Sequence, residues 1–237
     1  MQKILIPYGK QFIDHDDENE VKNSLRAKLI TTGNYVSSFE SAVIKKIRSK
    51  YALTCSSATT GLHLAYLSIG LKKGDTVIMP SINFISSYRM ADLLGANIYL
   101  ADVDPITGQM TPEKLLECIK KNKLTKIKAI VTMYLGGLIE NNLAFYKIKK
   151  KYKCSLIEDA CHAFGGKYSL NNVNYNVGSC KHSDLCVFSF HPVKTITTGE
   201  GGIVTTNNKK YADKIKLLRN HGIQKEKEYW KYNINEL

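Results

Sequence analysis

No stretch of the chain approaches the eighteen or so uncharged apolar residues that a membrane-crossing helix needs, so no spanning segment is expected. Met1-Gln-Lys-Ile-Leu-Ile-Pro7 is too short, and too soon broken by proline, for a signal peptide, and the reading is a cytoplasmic protein. Among six cysteines (Cys55, Cys118, Cys154, Cys161, Cys180, Cys186) there is no C-x-x-C pair. Several of them fall within expected strands or a helix, where a reduced thiol acts as a small apolar group. The nearest approach to a metal pattern, Cys180-Lys-His182-Ser-Asp-Leu-Cys186, lacks a fourth ligand and runs into an apolar stretch, so no metal is expected. A phosphate-binding G-x-x-x-x-G-K loop is also missing, as are internal repeats and low-complexity linkers.

Acidic residues are scarce as well: 21 Asp and Glu against 34 Lys and Arg leave a formal charge of +13. Most of the excess lies in Lys120-Lys121-Asn122-Lys123, Lys126-Ile127-Lys128 and the run from Lys147 to Lys153. These are helix ends and solvated faces, where lysine suits the helix dipole, and they lack the interleaved aromatics and arginines of a base-reading surface. No nucleic-acid partner is expected. A positive field also suits an anionic small molecule, such as a nucleotide-linked substrate.

What is present is a chain of 237 residues, 43% hydrophobic, long enough for one large α/β domain or two small ones. Residues 1–50 read as a helical segment. One helix is expected over Asp16 to Lys28, with Val21, Leu25 and Leu29 on one face, and a second over Ser37 to Ser49, with Phe39, Val43 and Ile47 turned to a core. From Tyr51 strands and helices alternate. Strands are expected at Tyr51 to Cys55, Thr76 to Met79, Asn97 to Ala101, Lys128 to Met133, Ser155 to Glu158, Leu185 to Phe190 and Gly202 to Thr206. Helices are expected at Thr59 to Ser68, Ser86 to Leu94, Pro112 to Lys121, Asn142 to Lys151 and Lys209 to Arg219. Short apolar strands separated by helices predict a mostly parallel seven-stranded sheet covered on both faces, a three-layer α/β/α fold. Ligands in such folds bind at the carboxyl ends of the strands.

Four groups of residues stand at those ends. Cys55-Ser56-Ser57-Ala58-Thr59-Thr60-Gly61 joins a strand to a helix through small residues; its free amides suit a phosphate, and Ser57 equally suits a plain helix cap. In Glu158-Asp159-Ala-Cys-His162 the carboxylate of Asp159 could pair with a cationic ring nitrogen or cap a helix. Phe84 follows another strand, either stacked on a flat cofactor or packed in the core. In Ser189-Phe-His-Pro-Val-Lys194, followed by Gly199, Gly201 and Gly202, the lysine is either a solvated loop residue or an amine placed to act as a nucleophile. Phosphate anchor, ring stack, acid and lysine together are the parts that a pyridoxal 5'-phosphate site requires.

With those motifs in place the sequence resembles the DegT/DnrJ/EryC1/StrS sugar aminotransferases. The resemblance runs from about Gly33 to Gly222 through Thr32-Gly33, Phe39-Glu40, Ser57-Ala58-Thr59, Gly74-Asp75, Pro80 to Phe84, Glu158-Asp159-Ala160, Phe188 to Phe190, Lys194 to Gly202 and Arg219-Asn-His-Gly222. It implies the fold type I large domain over 51–222, with 223–237 opening a linker to a small C-terminal domain beyond Leu237, and a homodimer when full length. It further implies Lys194 as the Schiff-base lysine and Asp159 as the pyridinium partner. Ser57, Ala58, Thr59 and Ser189 would hold the phosphate, Phe84 would stack on the ring and His162 would lie beside it. L-glutamate would be the amino donor and a nucleotide-linked ketosugar the acceptor. The branch most similar aminates C4 of a UDP-linked 4-keto-6-deoxy-N-acetylhexosamine for pseudaminic acid; another 3- or 4-ketosugar is the alternative. The related 3-dehydratases carry histidine where Lys194 stands. Asn34 replaces a proline frequent in relatives, which leaves the adjoining turn less rigid. A non-enzymatic binding protein or an inactive fragment are the readings from other classes.

Overall fold

The carboxyl ends of a twisted sheet form the working edge of this chain, whose residues 9–223 are described by a computed structural model. The reading of Met1 to Pro7 and nearly all of the expected linker, residues 224–237, lie outside the described residues. Helix α1 (His15–Leu25) is capped by Asp14, which accepts from the Asp16 and Asp17 amides, and α2 (Asn34–Ile47) follows. The order is then β1 (Tyr51–Cys55), α3 (Ala58–Ser68), β2 (Thr76–Pro80), α4 (Ser86–Leu93), β3 (Asn97–Ala101), α5 (Pro112–Lys121), β4 (Ala129–Met133), α6 (Asn142–Tyr152) and β5 (Ser155–Asp159). A hairpin of β6 (Lys167–Leu170) and β7 (Val173–Asn176) precedes β8 (Leu185–Ser189), β9 (Gly202–Thr206) and α7 (Lys209–Leu218).

Seven strands form one sheet in the order β1-β9-β8-β5-β4-β2-β3. All run the same way except β9, which is antiparallel to both β1 and β8. The mostly parallel sheet expected from the sequence is therefore present, with one reversed strand. The reversal brings the first residue of β9, Gly202, to the carboxyl edge, opposite Cys55 on one side and Ser189 on the other.

Alternate side chains of each strand serve the two faces. Leu53, Met79, Val131, Ile157, Val187 and Val204 pack under α3, α4 and α7. Ile78, Ile130 and Leu156 meet α5 and α6, and Cys186, Phe188 and Ile203 meet α2. Burial on both faces explains why these strands read as nearly unbroken apolar runs. The expected core face of α2 is as read, with Val43 and Ile47 buried.

Two expectations are corrected. The first helix ends at Leu25 rather than Lys28, and Val21, Leu25 and Leu29 are 60%, 68% and 59% exposed, because no described element packs on that face. The β6–β7 hairpin was not foreseen. Its strands, Lys-Tyr-Ser-Leu and Val-Asn-Tyr-Asn, carry too few apolar residues to stand out, and its signal is Asn171-Asn172, both at positive φ as a tight hairpin turn demands.

Candidate active site

Along the carboxyl edge, β1, β9 and β8 set Cys55, Gly202 and Ser189 side by side, and Asp159 closes β5 opposite Val187, two residues before Ser189. Just past β1, Ser57 caps α3 in a reciprocal box: the Thr60 amide donates to Ser57 Oγ at 3.2 Å, and the Ser57 amide donates to Thr60 Oγ1 at 3.1 Å. The helix-cap alternative for Ser57 is thus realised. The Ala58 and Thr59 amides, by contrast, donate to no acceptor among the described residues and are open to an anion. Space for one exists because residue 202 is glycine. A Cβ there would lie 2.6 Å from the Ala58 nitrogen.

Asp159 closes β5 and is only 2% exposed. Its Oδ2 accepts the Ser87 hydroxyl at 2.8 Å and Asn83 Nδ2 at 3.3 Å, whereas Oδ1 accepts only the Cys161 amide, at 3.3 Å. It caps no helix. Ser189, 8% exposed, lies on the strand beside it and accepts the His191 amide at 3.3 Å. Lys194 follows in a loop closed by its own hydrogen bonds: the Lys194 amide donates to the His191 carbonyl, and Thr197 Oγ1 and the Thr198 amide both donate to the Phe190 carbonyl. The lysine is half-buried, and its amine donates to no acceptor among the described residues. Its charge falls on Cys161 and His162.

His162 is held by the Gly136 amide, which donates to Nδ1 at 3.2 Å, so the ring proton of the neutral form sits on Nε2. Burial, and then the Lys194 charge, push its pKa below the usual histidine range, so the ring is neutral at pH 7. The support is the turn Leu135–Gly137, where Gly136 and Gly137 have φ of 63° and 82°. Burial and the adjacent Asp159 carboxylate likewise push the Cys161 thiol far up, which keeps it protonated beside the acid. Phe84 is 70% exposed, so core packing is excluded for it.

On the opposite face of β5, Glu158 is buried against a polar pair. Its Oε1 accepts the Tyr134 hydroxyl at 2.7 Å and Asn142 Nδ2 at 3.4 Å, and burial raises its pKa. The Tyr134 amide also donates to the Asp159 carbonyl at 3.3 Å. Sequence reasoning missed Ser87, Asn83, Tyr134 and the Gly136 turn. Only their positions just past β2 and β4, at the carboxyl edge, could have marked them.

A groove of about 1500 Å³ opens on the other side of the α3 N-terminus, between α2 and α7. Glu40, Thr54, Ser56, His63 and Arg219 line it, but Asp159, Ser189 and Lys194 do not. Asp159, Ser189 and the free amides of α3 stand instead at or just past the carboxyl ends of β5, β8 and β1, with Lys194 in the loop after β8.

Comparison with known proteins identifies the family and the fold. The chain is 39% identical over 233 residues to the UDP-4-amino-4,6-dideoxy-N-acetyl-beta-L-altrosamine transaminase of Campylobacter jejuni, a match covering 98% of this chain and 59% of that protein. Helicobacter pylori PseC, an aminotransferase of pseudoaminic acid biosynthesis, superposes with a TM-score of 0.84 at 30% identity, over 94% of this chain and 58% of that one. The PLP-form of a putative sugar aminotransferase, Spr1654 of Streptococcus pneumoniae, gives a TM-score of 0.83 at 25% identity, over 97% and 60%. The chain therefore spans somewhat less than two thirds of each relative, and its layers are those of the fold type I large domain. Since the family model is matched from residue 11 to residue 235, the chain belongs to the DegT/DnrJ/EryC1/StrS aminotransferase family.

Proposed function

We propose that residues 51–222 form the cofactor-binding domain of a pyridoxal-phosphate-dependent aminotransferase, with 1–50 as a helical segment before it. The reaction would carry an amino group from L-glutamate to C4 of a UDP-linked 4-keto-6-deoxy-N-acetylhexosamine, in pseudaminic-acid-type glycan synthesis. The observation that carries the reading is the disposition of Asp159. Its carboxyl is buried with one oxygen, Oδ1, taking a single backbone donor and able to take another, one strand from Ser189 and three strands from β1, which leads into the free amides of α3. The names of the Campylobacter and Helicobacter relatives support the sugar and the ring carbon.

In this site the Ala58 and Thr59 amides and the Ser189 hydroxyl would bind the cofactor phosphate, while Asp159 Oδ1 would hold a proton on the ring nitrogen. Phe84, free of the core, would cover the ring, and neutral His162 would lie beside it. Bound there, pyridoxal phosphate supplies an aldehyde that takes up the amino group and a ring that takes up electrons. The Lys194 amine would hold the cofactor at rest and would be the base that moves the proton at the donor's α-carbon. A second copy of the chain is the partner on the same reading.

Titration of the purified protein with pyridoxal phosphate tests this. A visible absorbance band abolished by borohydride is expected, and Lys194→Ala should remove it while the unfolding transition is kept. No band in the unaltered protein, or a reducible band in the variant, would overturn the assignment. Transfer from glutamate to the UDP-4-ketosugar, compared with other 3- and 4-ketosugars, tests the substrate.

A further inference from the structure

The buried acid is held unequally: Oδ2 takes two side-chain donors, whereas Oδ1 takes only the Cys161 backbone amide, at 3.3 Å. Ser87, fully buried in the first turn of α4, donates to Asp159 Oδ2 at 2.8 Å. Asn83, in the loop between β2 and α4, donates from Nδ2 to the same oxygen at 3.3 Å and to Ser87 Oγ at 3.0 Å. The Asn83 amide cannot be turned over, since its Oδ1 accepts the Phe84 amide at 2.7 Å. Ser87 is anchored in turn: its carbonyl accepts the hydroxyl of Tyr66 in α3 at 2.9 Å, and Tyr66 is itself fully buried.

The carbon-to-carboxyl torsion of an aspartate is broad, so a strand end alone does not fix where its two oxygens point. Two side-chain donors on Oδ2 remove that freedom, and Oδ1, which takes the Cys161 amide alone among the described residues, keeps an acceptor position for a further donor. We propose that Ser87 and Asn83 are positioning residues that hold Asp159 with Oδ2 occupied and Oδ1 aimed at a cationic ring nitrogen, so that protonation of a bound pyridine depends on them. The inference rests on the reading of this edge as a pyridoxal phosphate site. It also accounts for the loop 81–85, which would join two tasks: Phe84, 70% exposed, would cover the ring, and the neighbouring Asn83 would orient the group that meets the ring's edge.

The test uses the intact chain with pyridoxal phosphate carrying 15N in its ring, and reads the nitrogen resonance and the dissociation constant. Ser87→Ala should weaken cofactor binding about tenfold, the cost of removing one hydrogen bond to a charged group, and should move the resonance toward that of a neutral pyridine. Asn83→Ala should do the same to a smaller degree, and Ser87→Thr, which keeps the hydroxyl, should restore both readouts. If Ser87→Ala fails to fold, Asn83→Ala carries the test, because its side chain lies in a half-buried loop. An unchanged resonance in Ser87→Ala and in the double variant overturns the positioning role, even where affinity falls, since loss of affinity alone marks a packing effect. No borohydride-sensitive band in the unaltered protein overturns the site itself and this inference with it. A band in the unaltered protein together with wild-type resonances in the variants overturns this inference alone.

Discussion

Gly202, the first residue of β9, passes so close to the start of α3 that a Cβ on it would lie 2.5 Å from the carbonyl carbon of Ser57. Both partners in that contact are backbone, so no rotamer can relieve it. Gly202→Ala should therefore push α3 off the sheet edge, costing about 2 kcal/mol of stability by overpacking and misplacing the Ala58 and Thr59 amides. Urea unfolding together with a cofactor titration measures both effects. A variant of normal stability and affinity would show that this edge tolerates a side chain.

Glu40 of α2 and Arg219, at the C-terminal cap of α7, form an ion pair at 16% and 23% side-chain exposure. Thr54 of β1 completes it: its amide and hydroxyl donate to Glu40 Oε1, each at 2.8 Å, and its carbonyl accepts from Arg219 at 3.1 Å. Removing one partner strands the other. Arg219→Ala should cost on the order of 3 kcal/mol in equilibrium unfolding, and the double variant with Glu40→Ala should recover part of it. Additive losses would mean that the pair is not coupled.

Glu158 has no cation beside it among the described residues, and burial raises its folded-state pKa above that of the unfolded chain. Between those two values the folded state binds more protons, so stability falls as pH rises through the window, and the burden stays at higher pH. Glu158→Gln accepts the Tyr134 hydroxyl without carrying a charge. The variant should match the parent near the unfolded pKa and below, then exceed it increasingly as pH climbs. Thermal melts from pH 4 to pH 8 follow this, and parallel curves for the two proteins would contradict it.

Asp159→Asn keeps an acceptor for Ser87 but cannot hold a proton on a ring nitrogen. The cofactor band should persist while the half-reaction with glutamate slows about 100-fold or more. Rapid-mixing absorbance reads that step directly, and a near-normal rate would move the acid's role to another residue.

Burial patterns are local, and so the strands and most helices could be read from the chain alone. Ile78, Ile130, Ile157 and Val187 are wholly buried, and a parallel strand covered on both faces has to read as an apolar run. Ser57, Thr111 and Asn208 cap α3, α5 and α7, a role their short polar side chains announce in the sequence. The positions of Asp159 and Lys194 were legible for a related reason: a carboxylate closing such a run, and an amine in the loop after another, lie toward the carboxyl edge of the sheet. The partners of those residues were not visible. Ser87 lies 72 residues from the aspartate it holds, and Arg219 lies 179 residues from Glu40. Nor could spacing tell that β9 runs backwards, that Phe84 stands free, or that the apolar side chains of α1 meet no described element. A residue's tendency to be buried is carried by its own side chain and its neighbours in sequence. Which donor reaches which acceptor depends on the order β1-β9-β8-β5-β4-β2-β3, and that order arises only when distant segments pack.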